Sequence, residues 1–386
     1  MAATTSLSLR DIAEQFDQLP DPRCHINRLH PLSSVIVMAI LAILAGANGP
    51  TAIARWARVK EEFLRRGLHL PHGVPCKDVF RMVLTLLNPK VFQACFADWL
   101  KALRLNAMEQ FGIDRPLLSI DGKSHRRSHD QAKGLGALHS VSVWAGELGL
   151  SLGQVACADK SNEITAIPEL LSLIDIAGTI ITIDAMGTQK EIARQIVDAD
   201  ADYVLALKGN QGTLHDAVVN YIDQHLDDDF ADVDVRRHTV TEILHGKPET
   251  RLYTQFPVPK NLPMLEDWAS LKTIGLAMRW YEKNGEPYSD VRYYICSLPM
   301  GVKRFAGAAR GHWGIENTCH WTLDMTFRED DSRIRGRHIR ENFAWLTRLA
   351  LSLLKQHPSK DSVAMKRRLC GWDEDFLLEV LTGIIL

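Results

Sequence analysis

Three carboxylates stand out by type and placement. The run LLSID ends in Asp121 and the run IITID ends in Asp184, each a short apolar stretch closed by one acid. The third, Glu316, lies in GHWGIENTCHWTLDMTFRED, Gly311 to Asp330, a stretch crowded with His and Trp. Two strand-end aspartates and a helical glutamate match what phosphodiester cleavage by paired divalent ions needs. Two Mg²⁺ about 4 Å apart activate the attacking oxygen and neutralise the leaving one. Mg²⁺ prefers oxygen ligands, keeps several waters and takes few carboxylates, so three converging acids suffice. Strand ends suit two of them, because a sheet fixes their positions at an open rim. The competing reading of each aspartate is a cap for the following turn.

Other residues could assist. Gly122 would admit a close substrate backbone, and Lys123 a phosphate. Arg126, Arg127 and Lys133 follow the first aspartate, and Arg333, Arg335, Arg337 and Arg340 follow the glutamate segment. Such cations supply most of the affinity for nucleic acid, although a charge run is more often a solvated face. Lys208, in LKGNQ, is a further phosphate candidate, while Asn210 reads as a helix cap. His312, Glu316 and His320 are spaced to share one helical face, which permits a His–Glu–His transition-metal site. The absence of an H-E-x-x-H pattern and the strand-end aspartates favour a hard cation. The bland alternative for both histidines is packing, and Trp313 and Trp321 read as core residues that pin the helix. Glu163, Glu242, Glu329 and Glu341 are competing acids, and Glu316 wins by its context.

The elements that must position these groups change character along the 386 residues. Residues 1–112 read as all-helical, with helices near 32–46, 50–66, 77–87 and 89–104 and a first helix capped by Ser8. From Pro116 the order becomes three strands, helix, strand, helix, strand, helix. The strands lie at 116–121, 138–145, 150–158, 179–184 and 203–207, which is the order of a ribonuclease-H-like mixed α/β sheet. Residues 228–300 read as an inserted β-rich subdomain, followed by helices at 303–325 and 338–356 and a helical tail over 357–386. The catalytic domain thus spans 113–356.

Bulk properties exclude several classes. Net charge is −2, with 46% hydrophobic and 24% charged residues, so any nucleic-acid affinity must come from local clusters. The seven cysteines are scattered and form no C-x-x-C pair, which implies reduced thiols. VIVMAILAILA, Val35 to Ala45, has eleven apolar residues where a membrane span needs about twenty, so a buried helix is expected. The start is polar and partly acidic, unlike a signal peptide. A cytosolic location is expected.

Five segments carry a resemblance: SIDGK, ADKSNEITAIPELL, TIDAMGTQ, YVLALKGNQ and HWGIENTCHWTLDMTFRED with SRIR. Together with DPR at Asp21 to Arg23, LAGANG and KDVFRMVL, they make the chain similar to bacterial insertion-sequence transposases that include the H-repeat-associated proteins. The resemblance covers nearly the whole chain. It implies a DD(E/D) nuclease and strand transferase with two Mg²⁺, replaceable by Mn²⁺, on a triad at Asp121, Asp184 and Glu316. DNA, as element ends and target, and a second copy of the chain are the implied partners. Many related transposases show Y-x2-R-x3-E-x6-K around the glutamate; here those positions are Ala309, His312 and Leu323. Rival readings are a nuclease without strand transfer, an inactive DNA-binding remnant, and a transition-metal hydrolase.

Overall fold

The computed structural model describes residues 8–130, 134–157, 163–244, 247–283 and 286–382. Lys133 and most of the DKSNEIT turn lie outside them. Nine strands form one mixed sheet: β1 (Leu117–His125), β2 (Leu138–Ala145), β3 (Leu150–Cys157), β4 (Ile180–Ile183), β5 (Asp202–Leu207), β6 (Arg236–Leu244), β7 (Lys247–Pro257), β8 (Thr273–Lys283) and β9 (Glu286–Cys296). Their order is β3-β2-β1-β4-β5-β9-β8-β7-β6, with helices flanking the sheet. The β3-β2-β1-β4-β5 half is the expected ribonuclease-H-like order.

The β-rich insertion expected over 228–300 is present and extends the sheet. β9 pairs antiparallel with β5, from Val204↔Cys296 to Leu207↔Tyr293, and β8, β7 and β6 follow as an antiparallel meander. An unpaired β5 would expose a row of backbone donors and acceptors, and the apolar half of β9 covers it.

The chain packs as two compact units, residues 1–114, 122–160 and 317–386 in one, 115–121 and 161–316 in the other. These units cut across the sequence boundary near 112. In the first unit the helix Arg337–Gln356 is the hub, with fourteen buried residues. Its Asn342 amide donates to the Leu84 and Leu87 carbonyls at 2.9 Å each, closing the end of the helix Lys77–Leu86. Its Ser352 hydroxyl accepts from the Ser151 amide of β3 at 2.9 Å. The apolar run at Val35 lies in the helix Leu32–Leu44, where every residue but Ser33 is buried. No helix among the described residues is long and apolar enough to cross a membrane.

In the second unit the parallel strands β4 and β5 are buried on both faces. One face carries Leu117, Ile180, Val204, Tyr294 and Cys296, packed against Phe305, Ala306, Ala308 and Ala309 of the helix Val302–His312. The opposite face packs on the helix Glu163–Ser172. There a Cβ on Gly187 would meet Ile183 at 2.3 Å and Ile167 at 2.7 Å.

Close approach of the 302–312 helix depends on two glycines. A Cβ on Gly311 would meet Leu117 Cδ2 at 2.3 Å, and one on Gly275 of β8 would meet the Phe305 ring at 2.3 Å. Replacing Gly275 by Ala therefore pushes on a rigid ring and should cost about 1–3 kcal/mol, read from urea unfolding. A wild-type midpoint would contradict this packing.

Candidate active site

Strand register brings the two aspartates together. β1 and β4 are parallel, with Ser119 opposite Thr182 and Ile120 opposite Ile183. Asp121 and Asp184 are the next residue on each strand, and adjacent strands run about 4.8 Å apart. Side chains alternate between faces, so Ser119 and Asp121 share one face with Thr182 and Asp184. This is the face that carries Leu117 and Ile180 beneath the 302–312 helix. Each strand therefore presents, in order, an apolar side chain, a hydroxyl and a carboxylate. β1 does not end at Asp121 as expected; it runs on to His125, and only its pairing with β4 stops at Ile120.

The Asp184 carboxylate is held by its own turn. Its Oδ1 accepts from the Met186 and Gly187 amides at 3.1 and 3.2 Å. These bonds engage one oxygen and fix the rotamer, so the capping and functional readings coexist. Asn210 is not the expected helix cap: its amide donates to the Ala185 carbonyl at 2.5 Å. Gln211 and Thr188 tie the same turn to β5, through the Thr188 and Ala206 carbonyls.

Asp121, Asp184 and Glu316 line one cavity of about 290 Å³, with Lys208, His215, Arg292, His312 and Trp313. All belong to the second unit. Glu316 is exposed and sits in a π-helical turn, Ile315–His320, between the helices Val302–His312 and Trp321–Met325. The continuous helix expected over 303–325 is thus interrupted. Such turns are rare and recur at functional sites. The interruption also breaks the one-face spacing of His312, Glu316 and His320. His320 is buried in the first unit and does not line this cavity. The His–Glu–His reading fails on that geometry.

The donor set is oxygen-rich and suits a hard divalent cation. Among the described residues no three His, Cys, Asp or Glu side chains are drawn close enough to grip an ion. The acids share a cavity without being clenched.

His312 forms the cavity wall beside Asp184. Its Nδ1 lies 3.0 Å from Thr182 Oγ1, which lies 3.2 Å from Ser119 Oγ. Burial pushes its pKa down to about 4; Asp184 opposes that shift and Arg292 adds to it. Arg292 lays its guanidinium 4.1 Å over the Trp313 ring, and Trp313, which lines the cavity, is only half-buried. Trp321, expected in the core, is 59% exposed.

The basic residues divide. Lys208 is exposed on the cavity wall. Lys123, expected to reach a phosphate, is instead 8% exposed in the first unit, with its ammonium 2.7 Å from Asp324, 3.6 Å from Asp330 and 3.9 Å from Glu329. Arg126 pairs with Asp330 at 3.2 Å and Arg127 with Asp331 at 3.1 Å, both guanidinium groups well exposed. Arg333, Arg335 and Arg337 are exposed. Glu329 is not a spare catalytic acid: it is buried and bonded to the fully buried Arg348 at 2.8 Å.

Sequence reasoning missed Ser119, Thr182 and Arg292. A signal for the first two was present: both aspartates are preceded, at the same offset of two, by a hydroxyl residue.

With this geometry in hand, comparison with known proteins decides the family. Residues 112–353 match the family described as the Transposase DDE domain, and residues 13–100 match the family described as DDE_Tnp_1-associated. The chain belongs to the DDE transposase family. It is 36% identical over 387 residues to "Putative transposase YncI" of Escherichia coli O157:H7, covering 98% of this chain and 96% of that protein. It is 33% identical over 383 residues to "H repeat-associated putative transposase YhhI" of E. coli strain K12, covering 98% and 99%. A solved piggyBac transposase synaptic complex with hairpin DNA gives a TM-score of 0.38 at 10% identity, covering 97% of this chain and 76% of that one, a likeness too slight to argue from. Membership in the DDE family carries a general dependence on divalent metal.

Two consequences can be measured. Truncating Glu329 to Ala would strand Arg348 without its partner and should destabilise the chain by about 3–5 kcal/mol in urea unfolding; an unchanged midpoint would contradict the buried pair. The unfolded His312 titrates near 6.5 and the folded one near 4. Between those values the unfolded chain binds more protons, so stability should rise with pH across that window and level off above it. His312→Gln should flatten the rise; an identical slope would contradict the burial of this ring.

Proposed function

We propose that this DDE transposase cuts the ends of a DNA element and joins the freed ends to target DNA, with Asp121, Asp184 and Glu316 as its catalytic carboxylates. The observation that carries this reading is the placement of all three on one cavity wall, with the two aspartates adjacent by strand register. Two Mg²⁺, or Mn²⁺ in their place, held by these carboxylates would supply Lewis acidity at the attacking and leaving oxygens.

The chain's own residues do the rest. Asp184, its rotamer locked by the turn at Met186 and Gly187, and Asp121, carried on a paired strand, supply fixed anchors. Glu316 approaches from a π turn, the least regular backbone of the three, which suits an acid that closes when substrate arrives. Lys208 and Arg292 on the cavity wall face phosphate oxygens. Arg126, Arg127, Arg333, Arg335 and Arg337, all exposed, contact DNA backbone in the first unit; Arg126 and Arg127 exchange Asp330 and Asp331 for phosphate.

In the first step a water oxygen attacks phosphorus in line at the element end. The bond from phosphorus to the 3′-oxygen breaks, and that oxygen leaves with a proton as a 3′-hydroxyl. In the second step this hydroxyl attacks a target phosphodiester, forming one phosphorus–oxygen bond and releasing a target 3′-hydroxyl. No covalent link between enzyme and DNA is required. Two copies of the chain handle the two ends together.

Asp121→Asn, Asp184→Asn and Glu316→Gln should each cut a duplex carrying the gene-flanking inverted repeats about 1,000-fold more slowly or worse. Binding to the duplex should stay near wild type in a gel-shift assay. A pre-cleaved end separates transposition from plain hydrolysis: strand joining by wild type supports this reading, and hydrolysis alone favours a nuclease. Full Mg²⁺-dependent cutting by any of the three variants would remove that residue from the triad.

A further inference from the structure

Beside the carboxylates runs a chain of three polar side chains that the proposed chemistry does not use. His312 Nδ1 meets Thr182 Oγ1 at 3.0 Å, Thr182 Oγ1 meets Ser119 Oγ at 3.2 Å, and Ser119 Oγ meets the Gly311 carbonyl at 3.5 Å. Ser119 and Thr182 are buried, at 1% and 2% exposure, so each hydroxyl must find its partners inside this chain.

The direction of the chain follows from its last member. A carbonyl oxygen only accepts, so Ser119 donates to Gly311. With its single proton spent there, Ser119 accepts from Thr182. Thr182, likewise with one proton, accepts from His312. The ring therefore carries its proton on Nδ1. In a neutral ring with Nδ1 protonated, Nε2 holds the lone pair. Burial keeps the ring neutral at physiological pH.

His312 lines the same cavity as the three carboxylates. The packing holds it there: Gly311 lets the helix end press on Leu117, and Thr182 stands two residues before Asp184 on the same face. We propose that His312 Nε2 accepts a hydrogen bond from the attacking water or 3′-hydroxyl and orients it toward phosphorus, with Thr182 and Ser119 as positioning residues that fix the tautomer. The proposal rests on the function inferred above. Its charge logic is specific. A cationic ring would neutralise nearby carboxylates, whereas a neutral acceptor leaves their charge intact and adds a directed lone pair.

The tautomer can be read without any catalysis. In long-range ¹H–¹⁵N correlation spectra of the full chain labelled at histidine, with His312 assigned by its loss in His312→Gln, wild type should show Nδ1–H and a bare Nε2. Thr182→Val keeps the shape and removes the hydroxyl, so Nε2–H should appear. That variant should also cleave about 10–100-fold more slowly in kcat with little change in KM, the usual scale for a lost orienting partner. Thr182→Ser should restore both tautomer and rate. Nε2–H in wild type, or full activity for Thr182→Val after its tautomer has switched, would overturn the proposal. Asp184→Asn measured alongside separates the two ideas. If it cuts normally, the triad reading fails, while the tautomer result still stands or falls alone.

Discussion

Parallel pairing between two short strands is the constraint on which the rest depends. With Ile120 held opposite Ile183, the next residue on each strand is an aspartate, and alternation turns both to one face. A slip of one residue would send either carboxylate into the apolar layer behind the sheet. That layer resists the slip: Ile120, Ile181, Ile183 and Leu205 are all at most 2% exposed. Apolar packing on one face thus places charge on the other.

The 302–312 helix reads this face along its length. At its start Phe305 and three alanines cover the apolar ends of the strands; at its end Gly311 and His312 meet the hydroxyls. The helix then gives way to a π turn that carries Glu316. A regular helix would keep rigid spacing through the segment. The turn instead frees the glutamate from the register of His312, at a point where the three acids line a cavity without closing on it.

Much of this was legible in the residues. A short apolar run such as IITI, rich in β-branched residues, fits a strand covered on both faces, so β4 and the aspartate after it were readable, as was the order of strands and helices around them. The three carboxylates that line the cavity were readable as types in order. Pairing between distant segments was not, because alternation says which residues share a face but not which strand lies alongside. Hence residues 228–300 read as a β-rich insertion, but its pairing with β5 through β9 was not foreseen. Local chemistry also misled at Lys123 and Asn210. Lysine after Asp-Gly suits a phosphate, but three carboxylates more than 200 residues away neutralise it here. Asparagine before a helix suits a cap, but its amide holds the turn after Asp184. Trp321, counted as core, lies exposed.

The central claim is that parallel register between two strands brings together the two aspartates proposed to hold metal. Anomalous diffraction from crystals soaked in Mn²⁺ tests it most directly. The account predicts a peak bridging the Asp121 and Asp184 carboxylates, lost in crystals of Asp184→Asn. A peak at full occupancy elsewhere in the molecule, with none at that pair, would contradict it.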